Sequence, residues 1–155
     1  MKHSVLLILF LLVSVSVSAQ TDSSYKEIDL GFLRMTIPAF FVDQKVKGIE
    51  GGAYEYKGRG LTLSVDYNPA CFRPTFERTD PAYDYAEEAL SIDGIRAKIW
   101  SMRGNPFTAG ANYGTIQGKV GLGIYLSGND NDREKVTEMA RKIFLSVKFA
   151  PKKNS

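Results

Sequence analysis

Short alternating runs, punctuated by glycine turns, constrain this chain more than any other feature. Leu61, Leu63, Val65 and Tyr67 alternate with Thr62, Ser64 and Asp66. Strand side chains repeat every two residues, so the run predicts a strand with one buried face. The preceding run places Tyr54 and Tyr56 on one side and Ala53 and Glu55 on the other. Lys57-Gly58-Arg59-Gly60 lies between the two as a turn, which makes them a hairpin.

A second hairpin is centred on Asp93-Gly94. The helix formers Ala86 to Leu90 precede it, but Asp-Gly between alternating runs is the stronger signal. A tight primed turn needs positive φ at both central residues, which Asp and Gly tolerate. On its second arm Ile95, Ala97 and Ile99 face inward, and Arg96, Lys98 and Trp100 share the other face.

Other runs follow the same rule. Leu33, Met35 and Ile37 oppose Arg34 and Thr36 in a half-buried strand stopped at Pro38. Residues 39–46 form either a short apolar connector or a helical turn. Residues 104–110 read as a turn-rich connector, with strands over Asn112–Gln117 and Lys119–Ser127 on either side of Gly118. In the second of these, Gly121 and Gly123 share a face with Tyr125. Small residues there imply that something packs closely against that side.

Near the end the period changes from two to that of a helix. Val136, Met139, Ala140, Ile143 and Phe144 fall on one helical face, opposite Arg133, Lys135, Glu138, Arg141 and Lys142. Asn131 is the expected N-cap, with Glu134 as its capping-box partner. Leu145, Val147 and Phe149 then alternate as a last strand, followed by a disordered tail over 150–155. The predicted fold class is α+β: an antiparallel β-sheet built from hairpins, covered by helices including one C-terminal amphipathic helix.

Residues 1–19 have the parts of a secretory signal. Lys2 and His3 are basic, Val5 to Val17 is apolar, and Val17-Ser18-Ala19 sets up cleavage between Ala19 and Gln20. The 13-residue apolar run falls short of the roughly 20 needed to cross a bilayer. A periplasmic or extracellular location follows, with no membrane span in the mature chain. Residues 20–29 are expected to be a flexible leader and 30–149 a single domain.

Cleavage would remove His3, the one histidine of the 155 residues. The mature chain would then lack the commonest general base and the commonest neutral metal ligand. Cys71 is the single cysteine, so no intrachain disulfide forms. No metal site, no cofactor and no catalytic residue is predicted. Charges of both signs are interspersed around a formal net +3, without the basic stripe of a nucleic-acid reader.

Several motifs together are similar to those of a known family. These are Ile37-Pro38, Gly51-Gly52-x-Tyr54, Asp66-Tyr67, Ile92-Asp93-Gly94 with Ala97, and Ile143-Phe144 running to Phe149. The chain resembles small exported bacterial proteins of unknown function and, more loosely, the PsbP-like domains. That resemblance implies an antiparallel sheet sandwiched between helices and carries no catalytic motif.

Three lines of chemistry remain. Arg96, Lys98 and Trp100 offer a face for cation–π or stacking contacts, with Trp100 packed beneath a helix as the competing arrangement. The Asn68–Pro81 loop, with Cys71 and Arg73, is a second recognition candidate. Asp66, Glu87 and Glu88 would have to converge in one cleft to support a carboxylate-based hydrolase. Asn129 to Asp132 are explained by a helix start rather than by calcium, because the EF-hand spacing is absent. The sequence therefore favours an exported, non-enzymatic binding or accessory module acting on a protein partner or small ligand. The alternatives are that hydrolase and a structural envelope protein dimerising through Cys71.

Overall fold

A computed structural model describes residues 24–46, 52–67, 84–104, 106–114 and 121–151. The signal segment with Ala19 and Gln20, the loop with Cys71 and Arg73, and most of the C-terminal tail lie outside the described residues. Among the described residues ten strands run in chain order: β1 Tyr25–Asp29, β2 Leu33–Pro38, β3 Val42–Asp43, β4 Gly52–Gly58, β5 Leu61–Tyr67, β6 Ala86–Ile92, β7 Ile95–Met102, β8 Phe107–Tyr113, β9 Leu122–Gly128 and β10 Lys148–Phe149. The helix α1, Arg133–Leu145, lies between β9 and β10.

Both predicted hairpins form, and each turns on two residues with positive φ. Arg59 and Gly60 join β4 to β5 at 51° and 75°, and Asp93 and Gly94 join β6 to β7 at 50° and 77°. Those angles match the right-handed twist of the flanking strands. The Asp93 carboxylate also accepts a hydrogen bond from the Phe149 backbone N–H at 2.8 Å, tying the hairpin tip to β10.

The main sheet has seven strands in the order β3-β4-β5-β9-β8-β7-β6, with antiparallel pairings. β9 is inserted between the two hairpin units, with β5 on one side and β8 on the other. A second sheet orders β1-β2-β10. Leu33, Met35 and Ile37 of β2 are buried, as are Val136, Ala140, Ile143 and Phe144 of α1. They close on the inner face of the large sheet, where Leu63, Val65, Leu122, Ile124 and Leu126 are essentially unexposed. Tyr113 donates a hydrogen bond to the Phe144 carbonyl at 3.0 Å, fixing the end of α1 on the sheet. The Ser146 hydroxyl accepts from the Thr36 N–H at 2.9 Å and joins β2 to the same corner. The α+β class expected from the sequence is therefore the observed one, with α1 as the helical cover among the described residues.

Four expectations change. The leader over 20–29 is not loose along its length, because Tyr25–Asp29 pairs with β2 as an edge strand. The connector over 104–110 instead contains the start of β8, and that strand ends at Tyr113. Its small residues Ala109, Gly110 and Ala111 lie between two neighbouring strands, so ladder pairing outweighs their weak strand propensity. Asn131 does not cap α1: it lies in a 3₁₀ turn over Asp130–Asp132, which Asn129 caps by accepting from the Asn131 N–H at 3.0 Å. That extra turn delays α1 to Arg133, and its N-cap Asp132 makes no side-chain cap hydrogen bond. Leu145 ends the helix, 44% exposed, instead of beginning the last strand.

Candidate functional site

The outer face of the large sheet, opposite α1, is built on a different plan. Registered partners form a row across six strands: Glu55, Ser64, Tyr125, Gly110, Trp100 and Glu87. Trp100 and Tyr125 are 5% and 8% exposed, although neither belongs to the main core. Gly110 lies between them and presents bare backbone. A Cβ at Gly110 would overlap the six-membered part and the nitrogen of the Trp100 indole, which lies across β8. A Cβ at Gly123 would overlap the Tyr125 hydroxyl, so that ring lies back along its own strand. The close packing expected at Gly123 is thus against Tyr125 of the same strand.

The rings lie at 5.9 Å and 53° to one another, and Tyr85 stacks on the outer side of Trp100 at 6.3 Å and 22°. No helix among the described residues covers the indole. Its Nε1 is buried without a hydrogen-bond partner. An unpaired buried donor is uncommon in folded proteins.

Beside this aromatic patch is a groove of about 440 Å³. Trp100, Tyr125 and Met102 supply its apolar lining, and Ser64, Asp66 and Glu55 bring polar groups from β5 and β4. The volume lies within the range of small-molecule sites, roughly 300–1,000 Å³. Burial pushes the Tyr125 phenol up to about 12, and the neighbouring Asp66 charge adds to the rise. The hydroxyl is 3.4 Å from Asn112 Oδ1. Glu55 is diagonal to Asp66 across the β4–β5 pair and meets Lys57 Nζ at 2.9 Å.

The residues singled out in the sequence are distributed as follows. Trp100 lines the groove. Lys98 and Arg96 share its strand face but do not line the groove. Lys98 is 3.2 Å from Glu87, which also accepts from the Tyr85 hydroxyl at 2.9 Å. The Arg96 side chain is exposed, and its carbonyl accepts from the Gly114 N–H at 2.8 Å. Arg73 lies outside the described residues.

The carboxylate trio does not converge. Glu87 and Glu88 are adjacent in a strand and therefore point to opposite faces. Glu88 lies on the α1 side, where the Arg141 guanidinium holds its carboxyl below the usual range. Asp66 and Glu87 are separated by four strand spacings, about 19 Å at roughly 4.8 Å each. Acid–base cleavage of a glycosidic bond needs roughly 5–9.5 Å between its carboxyl groups. This trio cannot supply it. Among the described residues, no group of three His, Cys, Asp or Glu is arranged to hold a metal ion.

Tyr125, Gly110 and Met102 complete the site and were not evident beforehand. One signal pointed that way: the small residues opposite the aliphatic face of β9. Which aromatic ring would use that space depended on strand neighbours.

No family model and no curated protein matches the chain. A solved structure does: the solution structure of cyanobacterial PsbP (CyanoP) from Synechocystis sp. PCC 6803. The match has a TM-score of 0.59 at 17% identity and covers 87% of this chain and 98% of that one. The fold is PsbP-like. At that identity the likeness establishes architecture, not activity. No helix of the described residues is long and apolar enough to cross a membrane.

Proposed function

We propose that the protein is an exported, non-enzymatic binding or accessory module that takes a small ligand, or a segment of a protein partner, in the outer-face groove. One observation carries this reading: a concave site of about 440 Å³ lies directly beside a buried Trp100–Tyr125 patch. A sheet face without function would be expected to present ordinary polar side chains. Here the bare backbone of Gly110 and Gly123 admits two large rings, tilted 53° to one another, and a groove remains beside them. The PsbP-like fold suits an accessory role. The signal-like residues 1–19 support placement in the periplasm or outside the cell, and N-terminal sequencing of the exported protein tests cleavage after Ala19. Of the residues on the β7 face, Trp100 carries the proposal, with Arg96 and Lys98 as its flank.

Trp100 is the single tryptophan of the chain and gives one indole N–H resonance. A broad panel of small molecules should contain binders that shift this resonance together with the backbone signals of Ser64 and Ser127. If every binder shifts other residues and leaves the indole unmoved, the groove is not the binding site.

A further inference from the structure

Taking the groove as the binding site, we propose that it selects a neutral pyranoside, a sugar ring bound through a vicinal pair of hydroxyls. The lining contains a coupled pair of side-chain hydroxyls: Thr108 Oγ1 and Ser127 Oγ lie 3.1 Å apart. The two residues are directly opposite each other on β8 and β9, and Met102 continues the same row on β7. Both are half-buried, at the surface of the groove rather than beneath it. Ser64, diagonal to Ser127 on β5, adds a third hydroxyl to the lining. Trp100 and Met102 supply an apolar wall on the β7 side. A pyranose presents both kinds of surface, C–H groups on its ring faces and hydroxyls around its rim.

A hydroxyl has one proton to donate and two lone pairs to accept with. One proton is shared between Thr108 and Ser127, so the pair keeps one donor and several acceptor positions. A vicinal diol has the complementary set, because each of its oxygens both donates and accepts. Its two oxygens are also separated by about as much as the two in the protein pair, so both contacts form together. An ammonium group only donates and a carboxylate only accepts, and each leaves part of the pair unmatched. The Asp66 carboxylate is remote from this end of the groove. Asp66 is opposite Gly123, four residues along β9 from Ser127, or about 13 Å at roughly 3.3 Å per residue. The selectivity of the pair therefore does not depend on its charge. Glu55 enters the lining with Lys57 at 2.9 Å, a neutral combination.

The experiment compares probes with one body: the trans vicinal diol of cyclohexane, cyclohexanol, cyclohexylammonium and cyclohexanecarboxylate. A panel of methyl pyranosides of differing configuration is measured beside them. Binding to the full chain is followed by the backbone amide signals of Thr108 and Ser127 and by the Trp100 indole resonance. The diol should bind about three- to tenfold tighter than cyclohexanol, the scale of one further matched hydrogen bond. The two charged probes should gain nothing over cyclohexanol, and at least one pyranoside should bind tighter than the diol. Thr108→Val keeps the branched shape and removes the hydroxyl. It should bring diol and alcohol to near parity while the free protein keeps its native indole shift, and Thr108→Ser should restore the preference. Ser127→Ala tests the same point if Thr108→Val does not fold.

Equal binding of diol and alcohol would overturn the sugar proposal and leave the groove's binding role standing. A preference for either charged probe, or an unchanged preference for the diol in Thr108→Val, would overturn it too. So would a panel in which no pyranoside shifts Thr108 or Ser127. If none of the probes moves these signals or the indole, the proposal also fails, and the broader set of small molecules then decides the groove's role separately.

Discussion

The two faces of the seven-stranded sheet bury side chains by different means. On the inner face, branched aliphatic residues of β5 and β9 interlock with Ile143 and Phe144 of α1, all essentially unexposed. On the outer face, Trp100 and Tyr125 are nearly as buried, with each ring set against glycine backbone. Interlocking side chains fill the space between layers at near-crystalline density. The two tilted rings of the outer face do not interlock with a second layer among the described residues, and a groove remains beside them. The same strands therefore carry a closed core on one side and an open groove on the other.

The strongest attempt to break this comparison is Phe144→Ala. It should lower stability by about 3–5 kcal/mol, the usual range for deleting a buried aromatic side chain. Urea unfolding measures the loss. The native Trp100 emission should stay where it is, because the indole does not belong to the cluster around Phe144. A shifted native emission would mean that the faces are coupled.

Gly110→Ala asks the opposite question. In an ordinary strand this change stabilises by roughly 0.5–1 kcal/mol. Here the new methyl group would occupy the position of the indole ring. The expected result is a loss of about 1–3 kcal/mol, the range for overpacking. Emission should move to the red as Trp100 lifts from the sheet. A stabilised variant with unchanged emission would show that the ring does not depend on the bare backbone.

The smallest effect should appear in alkali, and it sharpens the difference between faces. Tyr125 has a folded pKa raised to about 12, against 10.0 for the free phenol. A raised pKa favours the protonated form in the folded state. Its stabilising contribution is complete below pH 10 and is lost as pH rises through about 12. Burial raises Tyr113, on the inner face, further still. Of these two phenols Tyr125 should ionise first, and Tyr125→Phe should remove the phenolate absorbance step near pH 12. If Tyr113→Phe removes the earlier step instead, the inner face is the more open of the two.

Much of the fold was legible because its rules are local. Two-residue turns at Arg59-Gly60 and Asp93-Gly94 read directly from side-chain preference, and the apolar face of α1 read from its period. β1 escaped because Ile28 is the single aliphatic residue in Tyr25–Asp29, so a pairing along the backbone left little trace in composition. β8 escaped because its inner-facing residues include Ala109 and Ala111, too small to stand out against the turn glycines nearby. The groove was the least legible part. Its walls come from β4, β5, β7, β8 and β9, and the position of β9 between β5 and β8 is a long-range choice that no local pattern records. Trp100 could be chosen as a candidate from its residue type. Its neighbour Tyr125 could not.

That placement of β9 also governs how the protein comes together during synthesis. The β4–β5 hairpin and the β6–β7–β8 meander can each form from neighbouring residues as they leave the ribosome. Each still has an edge waiting for a strand that arrives later, and pairings such as Ser64 with Tyr125 join distant parts of the chain. Contacts of that kind slow folding. Until residue 128 has emerged, the nascent chain holds two separate ribbons with exposed ladders that can pair with other copies. A premature stop ahead of β9 would therefore yield a chain prone to aggregate rather than a smaller folded protein.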